Sequence, residues 1–279
     1  MSAEGFALRT LERQACAPIA QETVIEMPDI LGPPEELFDN IDVVINFAGI
    51  VAGRDTKLLD EVNAKGPPRL ARLAKKCGAR HFIQLSSFHV YGSATLISHA
   101  TPESPVTPYG SSKLEADQAL LDMQSSGFAV SVLRMPMLYG GGSGDNLRKL
   151  AALLKHSGVF PMPRSPAPRS VLHLDNLAVL LQTLVGAPKP GVCFGADADQ
   201  FTIELLAETI GRVTGRKPRL VHLPDAAFLP VRFALKGLYN KLYESNIVLQ
   251  SECIVPDKPL PVLLRDGLFG MLSNARAQK

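Results

Sequence analysis

The chain reads as an α/β protein: a doubly wound parallel sheet with helices on both faces and a smaller lobe at the carboxyl end. Two observations predict this. Strand-like and helix-like segments alternate from Phe6 to Arg134, the pattern of parallel strands joined by crossover helices. The runs at Asp42–Gly49, His81–Leu85 and Ala129–Arg134 are near-continuously apolar, as expected of strands covered on both faces.

Taken in order, Phe6 to Leu11 is a short strand and Thr23 to Met27 a second. Pro33 to Phe38 opens with two prolines and two acids, which suits the first turn of a short helix. The apolar strand Asp42–Gly49 ends in small residues. Lys57 to Cys77 carries Leu58, Leu59, Val62, Leu70, Leu73 and Ala74 along a helix. Pro67-Pro68 predicts a kink or a break in it, and Gly78 a stop. Strand His81–Leu85, a loop from Gly92 to Val106, helix Tyr109–Gln124 and strand Ala129–Arg134 follow. Beyond Pro136 the texture changes. A glycine-rich loop (140–144) leads to an amphipathic helix, Asn146–His156, and a proline-rich loop, Pro161–Pro168. Strand Arg169–Leu174 is capped by Asp175 into helix Asn176–Leu184, and Val192–Gly195 is a further strand. Helices Ile203–Thr214 and Ala226–Tyr243, and a short one near Leu263–Leu272, complete the chain. The expected division is residues 1–140 as the main sheet and 141–279 as a lobe interleaved with its last strands.

A chain of 279 residues is long enough for one large domain, or a domain plus a lobe. The net charge of +2 makes no electrostatic case for nucleic acid or an anionic membrane. Cys16, Cys77, Cys193 and Cys253 show no C-x-x-C spacing, which argues against a zinc site and a disulfide framework and fits a reducing cytosol. No metal and a cytoplasmic location are therefore expected. No apolar run is long enough for a transmembrane segment, and the amino terminus lacks the apolar core of a signal peptide. The apolar stripe of Ala226–Tyr243 reads by default as core, with a second subunit (a homodimer) or a membrane surface as alternatives.

The chemistry concentrates between His81 and Lys113. The strand there runs into Ser86-Ser87, and Thr107-Pro108 opens the next helix, with Tyr109 and Lys113 four residues apart on one face. A phenol titrates near 10, and a neighbouring ammonium lowers that value. Ser87 is placed to hold a substrate hydroxyl or carbonyl. Hydroxyl, phenol and ammonium together point to proton transfer at oxygen while hydride moves at the attached carbon. The plain alternative is a solvated helix face and a strand-end turn. His89 reads as a strand-end packing residue.

Further pieces occur in a telling order: Ile45-Asn46-Phe47-Ala48-Gly49-Ile50-Val51, Asn63 in the next helix, Leu85 to Gly92, Tyr109-x-x-x-Lys113, Arg134-Met135-Pro136-Met137-Leu138-Tyr139-Gly140, and Arg169 to Ala178. Together they resemble the extended short-chain dehydrogenase/reductase family, in its NAD-dependent epimerase/dehydratase branch acting on nucleotide sugars. The resemblance covers residues 6 to 200. It implies a Rossmann-like core in residues 1–140, NAD or NADP as cofactor, and a nucleotide-sugar substrate. Ser87, Tyr109 and Lys113 resemble the catalytic triad, with Lys113 also holding the nicotinamide ribose. Phe47, Ala48 and Gly49 match residues that back the cofactor, Asp29 and Ile30 an adenine-side contact, and Asn63 a ribose-side asparagine. Pro136 matches a carboxamide contact, and Asn146 and Arg169 the residues that hold the sugar diphosphate. A guanidinium suits that last role, since its fork binds phosphate oxygens in pairs. A helix-packing amide is the plain alternative for Asn63.

The chain also departs from that family. The family opens on a strand, a Gly-x-x-Gly-x-x-Gly turn and a helix, whose backbone N–H groups receive the pyrophosphate. This chain has no such stretch, and its first strand matches the family's second. The expectation is either a truncated start, with two sheet edges left facing a gap, or a sheet closed up without that strand. Phe88-His89 replace the Asp-Glu pair of the dehydratases, which argues against 4,6-dehydration. Met137 replaces an asparagine, which bears on the sugar contacts. Arg9, Glu12 and Arg13 end the first strand, and an arginine there suits a 2′-phosphate, favouring NADP slightly. The resulting expectation is a UDP-sugar 4-epimerase or 4-ketoreductase. The alternative is a weakened or inactive relative kept as a binding protein.

Overall fold

A computed structural model describes residues 7–12, 22–26, 33–51, 56–140, 145–165, 167–234, 239, 243 and 245–277. Arg13, Asp29 and Ile30 lie outside the described residues. Two compact units are present, one of residues 1–92, 103–134 and 181–193, the other of 93–102, 135–180 and 194–279.

The first unit holds β1 (Leu8–Glu12), β2 (Glu22–Glu26), β3 (Val43–Asn46), β4 (His81–Ser87), β6 (Ala129–Met135) and β10 (Gly191–Phe194). The last four form one sheet in the order β10-β6-β4-β3, and β3 runs parallel to β4 with Val43 opposite His81. β4 and β6 are buried along almost their whole length, which explains their largely apolar sequence. β1 and β2 pair parallel as a separate two-stranded ribbon, and no described strand pairs with the second edge of β3. Among the described residues β1 does not pair with β3.

The α-helical register expected over Lys57–Cys77 is interrupted just before Pro67-Pro68. It runs as α1 (Thr56–Leu59), a π-helical stretch (Asp60–Lys65) and α2 (Gly66–Lys76). Pro67 and Pro68 have no N–H to donate, and they fall in the first turn of α2, where none is required. The wider π register precedes them, with Gly66 N donating to Glu61 O. Pro33–Phe38 makes only a 3₁₀ turn, Glu35–Phe38. Phe38, Ala71, Ala74, Phe82, Leu120, Phe128, Val130 and Val132 form the buried cluster of this unit.

The second unit contains β5 (Leu96–Ile97), β7 (Met137–Tyr139), α4 (Asp145–Ser157), β8 (Val159–Pro163), β9 (Val171–His173), the first half of α5 (Leu174–Gly186), α6 (Ile203–Thr214), β11 (Arg219–Leu223), α7 (Leu229–Ala234), β12 (Ile247–Val248) and a terminal helix, Leu264–Ala277. The loop expected at Pro161–Pro168 begins as strand instead: β8 pairs parallel with β11. Leu174 already starts α5, so Asp175 lies in its first turn rather than capping it. Ala226–Tyr243 opens as a 3₁₀ turn followed by α7. Tyr139, Leu147, Leu154, Phe160, Leu206, Ile210, Leu268 and Leu272 make the core here. No described helix is long and apolar enough to cross a membrane.

Candidate active site

The site is assembled by α3 (Pro108–Leu121), which packs on β4, on the π-helical stretch and on the 3₁₀ turn Phe88–Tyr91 that follows β4. The sequence dictates its entry. Thr107 caps α3 by accepting from Gly110 N at 3.0 Å, and Pro108 occupies the first turn. Gly110 is required by closeness: a Cβ there would lie 2.4 Å from His89 O. This approach presses the first turn of α3 against the residues after Ser87.

The Tyr109 phenol lies near the Ser87 hydroxyl, and its ring meets the His89 ring edge-on with centroids 5.4 Å apart. Ser87 Oγ also accepts from His89 N at 3.2 Å and lies 3.0 Å from His89 Nδ1. Lys113 is buried one turn further along α3, and its Nζ donates to Leu85 O at 3.0 Å. Its ammonium faces Gly49, where an added Cβ would sit 3.2 Å from Nζ and 3.4 Å from Asn63 Oδ1. Asn63, fully buried in the π-helical stretch, clamps the backbone of Ile50. Its Oδ1 accepts from Ile50 N at 2.9 Å and its Nδ2 donates to Ile50 O at 2.8 Å. Asn46 holds the other end of the same segment, accepting from Ala48 N at 3.0 Å and donating to Gln84 Oε1 at 2.8 Å. The structure thus brings Ser87, Tyr109, Lys113, Gly49 and Asn63 together at the carboxyl ends of β3 and β4, where parallel sheets take ligands.

The electrostatics differ from the expectation in one respect. Burial pushes the Tyr109 phenol above its ordinary range; the Ser87 hydroxyl draws it back, and the Asp117 carboxyl pushes it further up. The Lys113 ammonium is tied to the β4 backbone through Leu85 O and faces Gly49. Burial lowers the pKa of Lys113 itself, and Asp117 opposes that.

Asp117 and Arg134 were given no part by sequence reasoning. Asp117 is fully buried one turn beyond Lys113, accepting from Ser86 Oγ at 2.7 Å and Arg134 Nε at 2.9 Å. Arg134 Nη1 donates to the Tyr91 hydroxyl at 2.7 Å, and its Nη2 pairs with Glu103 at 2.6 Å. The available signal was a charge inside an apolar strand. Burial pushes Asp117 up to about 6, against the pull of Arg134 and Ser86. A carboxyl that titrates higher folded than unfolded binds protons preferentially in the native state. Its contribution to stability therefore falls as pH rises from about 4 to 6, and is level above that. Asp117→Asn should remove this segment from the difference between wild-type and variant stability curves, measured by urea unfolding at several pH values.

Pro136, Asn146 and Arg169 belong to the second unit. Pro136 joins β6 to β7, Asn146 is exposed in the first turn of α4, and Arg169 bridges to Phe201 through backbone hydrogen bonds of 2.9 and 2.8 Å. Among the described residues, no group of histidines, cysteines or acids is arranged to hold a metal.

The pattern of the family described as "NAD dependent epimerase/dehydratase family" matches residues 19–176. A ceramide reductase from Caulobacter vibrioides is 28% identical over 204 residues, covering 71% of this chain and 59% of the relative. A UDP-glucose 4-epimerase from Vibrio cholerae is 31% identical over 168 residues, covering 54% of this chain and 49% of the relative. The chain therefore spans only about half to three-fifths of these two proteins. Among solved structures, MoeE5 in complex with UDP-glucuronic acid and NAD superposes with a TM-score of 0.77 at 16% identity, covering 99% of this chain and 93% of that one. At that identity the likeness shows the fold alone.

Proposed function

As the chain belongs to the NAD-dependent epimerase/dehydratase family, we propose that it is an NAD(P)-dependent nucleotide-sugar 4-epimerase or 4-ketoreductase acting on a UDP-sugar. The observation that carries this is that Ser87, Tyr109 and buried Lys113 meet at the end of β4, with Lys113 Nζ donating to Leu85 O two residues before Ser87. The residues present fit the nicotinamide half of the cofactor. Gly49 leaves room above Lys113 and Asn63, and Phe47 and Val51 expose 63% and 71% of their surface at the mouth of β3, apolar faces suited to a ring. Lys113 and Asn63 would hold the ribose side, and Pro136 the carboxamide. Bound nicotinamide supplies the hydride acceptor or donor at C4 of the sugar. Tyr109 removes or returns the proton at the C4 oxygen, and Ser87 holds that oxygen by hydrogen bond. Lys113 fixes the cofactor side of the site. Asn146 and Arg169 are assigned to the diphosphate.

Purified protein is to be given UDP-glucose, UDP-galactose and a UDP-4-keto-sugar with NAD(H) or NADP(H). Stoichiometric NAD(P)H consumption is expected of a reductase, and sugar interconversion without consumption of an epimerase. Neither reaction with any of these sugars would contradict the proposal. One observation favours a second reading, a binding protein without turnover: the second edge of β3 is unpaired among the described residues. Cofactor binding without either reaction would support it.

A further inference from the structure

Ser112 lies between Tyr109 and Lys113 on α3, is buried, and takes no part in the proton transfer proposed above. Its hydroxyl donates to the Tyr109 carbonyl at 2.9 Å and accepts from Asn63 Nδ2 at 3.3 Å. A serine hydroxyl has one proton, and here it goes to Tyr109 O. Asn63 Nδ2 has two, one given to Ser112 and one to Ile50 O at 2.8 Å. Asn63 Oδ1 accepts from Ile50 N at 2.9 Å. Ile50 thus fixes which way the amide faces, because its N–H needs the oxygen and its carbonyl the nitrogen. Each proton in this series of bonds is placed once. The series runs from the backbone of Ile50, through one amide and one hydroxyl, to the backbone of Tyr109. Ile50 follows Gly49, whose missing Cβ leaves room beside Lys113 Nζ and Asn63 Oδ1. Asn63 sits in the π-helical stretch, an irregularity of the kind that often marks a functional site.

We propose that Ser112 is a positioning residue: with Asn63 it ties segment 49–51 to the turn of α3 that carries Tyr109, so that the seat of the nicotinamide and the proton donor keep one spacing. This rests on the roles given above to Tyr109 and to the space over Gly49. Hydride and proton are delivered to adjoining atoms, a carbon and its oxygen, so their two sources must hold a set separation. A displacement of about 1 Å between reacting groups lowers the rate on the order of 10²-fold. Lys113 anchors α3 to β4 through Leu85 O, and Gly110 brings its first turn against His89 O. The Ser112–Asn63 link adds a hydrogen-bonded anchor from the residues that follow β3. A helix serine can also bond a carbonyl of its own preceding turn and do nothing more. That bond alone would confine the effects of Ser112 to α3.

The test uses Ser112→Ala, which removes one oxygen and adds no bulk. Amide hydrogen exchange of Ile50 N–H is read by NMR in the cofactor-free protein. Among the described residues Ser112 makes no hydrogen bond to Ile50, so a serine serving α3 alone leaves that N–H as it is in wild type. The link instead predicts exchange about tenfold faster, the net effect of about one hydrogen bond. In the same variant, kcat in the reaction found with UDP-sugars should fall about tenfold, with KM for the sugar unchanged. Adding Ser112→Ala to Asn63→Ala should lower kcat no further, since either change opens the same link. Unmoved Ile50 exchange, wild-type kcat in Ser112→Ala, or losses that add in the double variant would overturn the link. Full turnover by Tyr109→Phe would instead overturn the underlying role of Tyr109.

Discussion

Tyr109→Phe is expected to lower kcat by about 10²–10⁴-fold, the contribution of a positioned proton donor, while leaving the fold and NAD(P)H affinity intact. The change deletes one oxygen from a half-buried side chain whose ring still packs against His89. The deleted atom is the phenol oxygen assigned to proton transfer beside Ser87, so the proton path to the substrate oxygen is cut and little packing is lost. Cofactor affinity by calorimetry and kcat by NADPH consumption separate the two effects. A variant with wild-type kcat would remove Tyr109 from the mechanism.

Arg134→Ala is expected to cost about 3–5 kcal/mol of stability, the usual penalty for stripping one partner from a buried ion pair. Arg134 is 1% exposed and holds Asp117, the Tyr91 hydroxyl and Glu103 together. Removing it leaves Asp117 in the interior with Ser86 as its remaining hydrogen-bond partner among the described residues. Replacing both members, Arg134→Met with Asp117→Leu, should cost less than Arg134→Ala alone, because no unpaired charge is left behind. Urea unfolding of the variants measures this. A loss below about 1 kcal/mol for Arg134→Ala, the worth of an exposed pair, would contradict a buried and tightly coupled network. Since Asp117 follows Tyr109 and Lys113 on one face of α3, the same variant should also reduce activity.

The parts of the molecule legible in the sequence are those set by neighbours in the chain. Helix Ile203–Thr214 was readable to its ends, because Thr202 caps it through Leu205 N and Gly215 stops it in the left-handed conformation at φ +76°. The strand, hydroxyl and helix order around Ser87 and Tyr109 was readable for the same reason. Pairings between distant segments were not. β8 looks like a loop because Pro161 and Pro163 punctuate it, and only β11, far along the chain, makes it a strand. The Asp117–Arg134 pair was hidden because each charge, read alone, belongs on a surface. The contacts of His89 with Ser87 and Tyr109 were hidden because an imidazole at a strand end carries no local mark of what it touches. Lys113 was placed correctly on its helix face, yet its ammonium turns toward Leu85 O and Gly49, which spacing along a helix cannot report.

The measurement closest to the central claim follows the hydride itself. Wild type and Tyr109→Phe are each mixed with a UDP-4-keto-sugar and NADPH deuterated at its transferable position, and deuterium at C4 of the sugar is read by NMR. The account predicts deuterium at C4 with wild type, formed at least about 10²-fold faster than with Tyr109→Phe. Equal transfer by both proteins, or none by wild type, would contradict it.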